Sequence, residues 1–194
     1  MFKPILTKPV NDPFFITIES GGLNPCGKGK PTDPTADAMA NCVSFVVGAF
    51  NKHAGETWCH YFGSMNAKSI YTVAVRDYHF PTSIVPKVGA IACWSGGKDG
   101  RGHVAEVEVV NKDGSIVLAM SGYESYIFKT VTVTNANGRW GMTSDYKFQG
   151  FVENPFIDTS DPKLKINDII DNINNELEEI KELVAIIWNK NLNG

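Results

Sequence analysis

No stretch of the 194 residues stays apolar for anything near the roughly 20 positions that a membrane-spanning helix needs, so no span is expected. Charge of one sign is lacking too. With 18 Lys and Arg against 21 Asp and Glu, the formal net charge is -3. No global positive field therefore points to nucleic acid or an anionic lipid surface, and neither is expected as a partner. Cysteine is scarce: Cys26, Cys42, Cys59 and Cys93 have no CxxC spacing, which excludes a disulfide-dense scaffold and a closed Cys-rich zinc site. A Cys26–Cys59 bridge stays open, and Cys26, Cys59 and His60 make only an incomplete metal-ligand set. No metal and no cofactor are expected. The 18 Gly and 10 Pro follow no period, which excludes a fibrous class. The first residues have early prolines, Pro4 and Pro9, and no apolar run of about 7–15 residues, so no secretion signal is read there. The expectation is a chain made in the bacterial cytoplasm without a leader.

What is present is 43% apolar and 11% aromatic residues, enough for one ordinary core and a small appendage. The charge divides unevenly. Residues 1–154 carry 14 basic and 13 acidic side chains, a net +1; residues 155–194 carry 4 and 8, a net -4. Texture changes at the same point. Turn signals and short β-rich runs come first, whereas between Pro162 and Gly194 there is neither Gly nor Pro. This predicts a globular domain over 1–155, then a hinge and one long helix within 156–194.

Two residues carry the chemistry. Val43, Val46, Val47 and Phe50 recur at helical spacing behind a turn-rich segment, which puts Cys42 in the first turn of a helix. There the helix dipole and free N–H groups favour a thiolate. The alternative is a small core hydrophobe, the reading preferred for Cys93 in the apolar strand Val88–Trp94. A glycine-rich loop, residues 95–102, leads to a second strand, His103–Val110. An Asp113-Gly114 turn then joins it to a hairpin partner, Ser115–Met120. His103 thus opens a strand beside a loop, where an imidazole can face a cleft and take a thiol proton. With the turn at Lys112–Asp113, His103 falls opposite about Gly122. His53 reads as a cation at a helix C-terminus. Glu106 and Glu108 read as surface or sheet-face residues.

Blocks at Asn41–Phe45, Asn66-Ala67, Pro86–Ile91 and Gly102–Glu108 stand in the order and spacing of the CHAP family, the cysteine, histidine-dependent amidohydrolases and peptidases. Further matches lie at Gly21–Cys26, Ser121–Tyr123, Gly138–Met142 and Gln149–Pro155. Over roughly residues 10–155 the chain resembles the catalytic domains of phage endolysins and related wall hydrolases. The resemblance implies an α+β, papain-like fold with N-terminal helices packed on an antiparallel sheet. It implies hydrolysis of an amide bond in peptidoglycan, either N-acetylmuramoyl–L-alanine or a peptide link. Cys42 would be the nucleophile and His103 the general base. The backbone N–H of Cys42 and the Asn41 side chain are candidate oxyanion donors, Asn41 being equally readable as a helix N-cap. The family's third, ring-orienting acid or amide falls on Met120, whose thioether cannot serve. Ser121 or a backbone carbonyl, Glu124, or a simple dyad remain open. No clear calcium loop is seen; Asp33 and Asp37 read as turn and cap residues. Trp94 and Tyr123 are the candidate substrate-groove aromatics. Action on the wall after holin release, or from a virion, is the expectation, with a non-catalytic structural or wall-binding protein as the alternative.

The tail has its own pattern. Ile166, Ile173, Ile180 and Ile187 repeat every seven residues, and Ile170, Leu177 and Val184 fall four after the first three. This is a coiled-coil seam, widened by Ile169, Leu183, Ile186 and Trp188. Self-association through residues 164–190 is preferred over packing back on the domain, since a lone helix of this kind would expose a large apolar patch.

Overall fold

The computed structural model describes residues 2–10, 12–15, 41–55, 62, 66–122, 128–157, 177, 180 and 181. Residues 2–157 form one compact unit, and residues 158–194 belong to another. Within the first, helix α1 spans Cys42–Ala54 and α2 spans Ile70–Tyr78. Six strands follow: β1 Thr82–Ser83, β2 Ile91–Gly96, β3 His103–Val110, β4 Ile116–Met120, β5 Lys129–Val133 and β6 Tyr146–Val152. They form one sheet in the order β1-β6-β2-β3-β4-β5, antiparallel at every pairing. The α+β expectation holds for this unit. The C-terminal helix lies largely outside the described residues; Leu177, Ile180 and Lys181 are helical.

Helix α1 begins where Asn41, in extended conformation, accepts a hydrogen bond from the Ser44 N–H through its side-chain oxygen at 2.9 Å. This cap satisfies a donor that the first helical turn leaves without a partner. The helix stops at Gly55, whose positive φ lets its N–H reach back to the Asn51 and Lys52 carbonyls. Between these ends Phe45, Val46, Val47, Ala49 and Phe50 are fully buried. Each large apolar side chain so covered contributes on the order of 1.5–3 kcal/mol.

The sheet is covered on both faces. Ile91, Cys93, Val104, Ala119 and Val152 pack with α1 and α2. Ala92, Trp94, Ala105, Val107, Leu118, Met120 and Phe151 pack on the other side with Trp140 and Met142. Alternation along each strand assigns the two sets. Cys93 is a buried core thiol, and burial pushes its pKa up. The β3–β4 hairpin pairs Glu106 with Ala119 and Val107 with Leu118; continued three residues, that register brings His103 level with Gly122. Glu108 is the extra residue of a β-bulge, because beyond it Val109 pairs with Val117.

Candidate active site

Cys42 is the first residue of α1 and His103 the first of β3. α1 packs along β3, and the backbone N–H of Val104, next to His103, bears directly on the Cys42 sulfur. The third wall is the end of β4. Gly122 has a φ of +67°, and a Cβ there would come within 2.8 Å of the Asn41 Cα and 3.1 Å of the Cys42 nitrogen. Only glycine allows that approach at that dihedral. On the far side, Gly102 (φ +78°) brings its backbone so close to the Trp94 carbonyl that a Cβ would lie 2.3 Å from it. Glycines therefore flank His103 in space: one tightens the loop before it, the other presses β4 on the start of α1.

The structure thus gathers Asn41, Cys42, His103, Ser121 and Gly122 at one end of the sheet. Ser121 is fully buried there. Asn41 is exposed, and its cap uses only the side-chain oxygen, so the NH2 group remains a candidate donor. Cap and oxyanion donor, rival readings in sequence, are compatible in geometry.

Four expectations change. The start of α1 does not deliver a thiolate, because burial raises the Cys42 pKa; the N–H groups of Val104, Val43 and Cys42 itself pull the other way and do not prevail. Trp94 does not line an open groove. It is fully buried, its indole N–H donates to the Arg139 carbonyl at 2.9 Å, and its ring lies 6.1 Å from the His103 ring. It packs against the histidine instead of facing substrate. Glu106 and Glu108 are not surface residues, being 0% and 1% exposed beneath α1 and the N-terminal segment. With them goes the reading of His53 as a helix-terminal cation. Its side chain is 4% exposed, Nδ1 lies 3.0 Å from Glu106 Oε1, and burial lowers its pKa. Tyr123, Glu124, Cys26, Cys59, His60, Asp33 and Asp37 lie outside the described residues.

His103 is buried, and this holds its pKa down at about 4; the charge of Lys129 on β5 adds to the effect. The imidazole is therefore neutral near pH 7, the form that accepts a proton. Lys129 pairs with Met120 across β4 and β5. Met120 sits on the Trp94 side of the sheet, 2% exposed, beside a pocket of about 90 Å³ lined by Lys129, Val131, Val133, Trp140 and Met142. Sequence reasoning missed Lys129, since nothing in the run Phe128–Val133 relates it to His103 before the strands are paired. Among the described residues no group of three or more His, Cys, Asp or Glu could hold a metal ion, and no helix is long and apolar enough to cross a membrane.

Among curated proteins none matches this chain. Several solved structures are similar, two of them as follows. An N-acetylmuramoyl-L-alanine amidase from Staphylococcus aureus aligns at 22% identity with a TM-score of 0.44, over 61% of this chain and 31% of that one. Ly7917 aligns at 13% identity with a TM-score of 0.42, over 60% of this chain and 54% of that one. The chain therefore spans about a third of the length of the first and about half of the second. The family comparison falls on the site itself: residues 32–122, which run through Asn41, Cys42 and His103 to Gly122, match the model of the CHAP domain.

Proposed function

We propose that the protein is a peptidoglycan hydrolase that cleaves an amide bond by a Cys42–His103 thiol mechanism. One observation supports this reading above the others. The CHAP match contains both residues, and α1 and β3 bring their first residues to the same end of the sheet. The raised thiol and lowered imidazole make the resting pair neutral: thiol and imidazole, not thiolate and imidazolium. As sulfur attacks the carbonyl carbon, the thiol proton passes to His103 and the carbonyl electrons move to oxygen. The backbone N–H of Cys42 and the Asn41 NH2 group would hold that oxyanion. On collapse the C–N bond breaks, and the amine leaves with the proton from His103. Water, deprotonated by His103, then splits the thioester and frees Cys42. In place of a ring-orienting acid, the His103 ring packs against Trp94, and Ser121, directly after β4, is the candidate partner.

The candidate bonds are N-acetylmuramoyl–L-alanine and a stem or cross-bridge peptide link. A phage endolysin or tail-associated lysin acting on Gram-positive walls, reached through holin pores or from a virion, completes the reading. The tail is proposed to oligomerise through residues 164–190. Leu177 and Ile180, both in the heptad seam, are 47% and 55% exposed, which supports that role. The alternative, a non-catalytic protein on the same scaffold, draws on Met120, an apolar residue where the family places an acid or amide.

Digestion of purified Gram-positive walls by the wild type and by Cys42→Ala tests the proposal. Loss of turbidity only with the wild type is expected; equal loss with both, or none with either, would reject catalysis. Mass spectrometry of the fragments separates free lactyl ends, the product of an amidase, from new peptide termini. For the tail, light scattering that finds a monomer both with and without residues 160–194 would reject self-association.

A further inference from the structure

The sequence offers no hint of the most unusual group of side chains in the domain. Glu106 and Glu108 point from β3 toward α1, and His53 meets them from the last turn of that helix. The N-terminal segment covers them. The Ile5 N–H donates to Glu108 Oε2 at 2.6 Å, the Lys3 carbonyl lies 3.1 Å from His53 Nε2, and the Phe2 ring rests 4.5 Å from the imidazole. Phe2 and Ile5 are themselves buried. Glu106 Oε2 and Glu108 Oε1 are buried oxygens with no hydrogen-bond partner, and the two carboxyl groups interact directly.

The hydrogen bonds fix where protons must be. A carbonyl only accepts, so His53 Nε2 carries hydrogen. One further proton then lies between Nδ1 and Glu106 Oε1, whether on an imidazolium facing a carboxylate or on an acid facing a neutral ring. Either way that pair is neutral. Glu108 is left beside it, and an ionised Glu108 would be an unpaired buried charge next to a second carboxyl group. Lys52 is the side-chain cation on α1, but it is already paired with Asp12. From β4 the neighbour is Ala119, which has no charge to offer.

We propose that residues 2–5 form a strap that is latched across α1 and β3 by protons shared among His53, Glu106 and Glu108, and that alkaline pH releases it. Deprotonation of Glu108 calls for water, and β3 cannot supply it from the middle of a six-stranded sheet. Residues 2–5 form no helix or strand and lift more cheaply. Burial raises the pKa of both carboxyl groups, to about 8 for Glu106 and about 10 for Glu108, which is consistent with a latch closed at neutral pH.

The test is amide hydrogen exchange at Ile5 in the full chain, corrected for intrinsic rate, between about pH 6 and about pH 10. The expected result is an Ile5 protection factor that falls by up to about tenfold per pH unit as the pH rises toward the pKa values of the closed cluster, while Ala105 and Val107 stay protected. Glu108→Gln keeps an oxygen for Ile5 and supplies a donor to Glu106, and its Ile5 protection should fall less steeply over the same range. Protection that is constant or rises with pH in the wild type would overturn the proposal. So would a fall in E108Q parallel to that of the wild type. Should E108Q fail to fold, the carboxyl carbon resonance of Glu108 in the wild type decides: titration near the ordinary value of about 4.3 refutes the latch.

Discussion

Asn41 offers a way to separate a structural role from a catalytic one at a single side chain. Its oxygen caps α1 by accepting from the Ser44 N–H at 2.9 Å, while its NH2 group is the proposed donor to the oxyanion. Asn41→Ala removes both. Loss of the cap costs about 1 kcal/mol, or roughly 2–4 °C in Tm for a domain of this size. Asn41→Ser and Asn41→Asp keep a capping oxygen and lose the amide donor. Their Tm should stay near that of the wild type, with Asp gaining slightly from the helix dipole. Loss of one oxyanion donor lowers turnover by about 10²–10³, or about 2.7–4 kcal/mol of transition-state stabilisation. The assay is wall-turbidity clearance under saturating substrate beside thermal unfolding for the same four proteins. Activity should fall in all three variants, whereas Tm falls only in Ala. Asp alone could act by repelling the oxyanion, so neutral Ser is the deciding variant. If Ser clears walls within about threefold of the wild type, Asn41 is only a cap and the oxyanion needs another donor.

Three further outcomes follow from the same geometry. Gly122→Ala combines a left-handed dihedral with a Cβ 2.8 Å from the Asn41 Cα, and should destabilise the domain by about 2–4 kcal/mol; an unchanged Tm would refute the close packing. His103 resists protonation until about pH 4, so the acid limb of activity should lie well below the ordinary histidine range, and Lys129→Met should move it upward. For stability the sign is fixed: the lowered pKa gives a contribution that is full above the unfolded value of about 6.5 and is lost as pH falls toward the folded value. Chemical unfolding that is flat between those limits in wild type, or unchanged in slope by His103→Gln, would contradict this. Finally, the raised Cys42 thiol should react slowly with iodoacetamide at neutral pH and faster as pH rises past the usual thiol range. A rate already on its plateau at neutral pH would point to a thiolate, and activity that survives full alkylation would exclude Cys42 as nucleophile.

The legible parts of the sequence were those set by local rules. The Asp113-Gly114 turn and the alternating run after His103 define the β3–β4 hairpin, and from it comes the level of His103 with Gly122. The start of α1 was legible because Asn41 precedes an apolar run at helical spacing. Errors arose where burial depends on a second layer. In the run Val104–Val110, two glutamates among valines read as a wet face, yet that face lies beneath α1 and residues 2–5. The Cys42 pKa failed for the same reason: the dipole is local and readable, whereas desolvation by the surrounding fold is not. Trp94, expected in the substrate groove, turns inward, because its indole N–H finds the Arg139 carbonyl from a loop 45 residues on.

The sheet order has a consequence for how the domain is made. β6, the last strand among the described residues, inserts between β1 and β2, and Val152 pairs with both Thr82 and Ile91. A nascent chain that has emerged only through Gly122 holds Cys42 and His103, yet the strand that flanks β2 on one side has not emerged. Until then the backbone of β2 presents an open apolar edge, the kind of surface that draws other chains. The enzyme-like end of the sheet is thus encoded first and secured last, and folding must wait on a strand that carries none of the proposed catalytic groups.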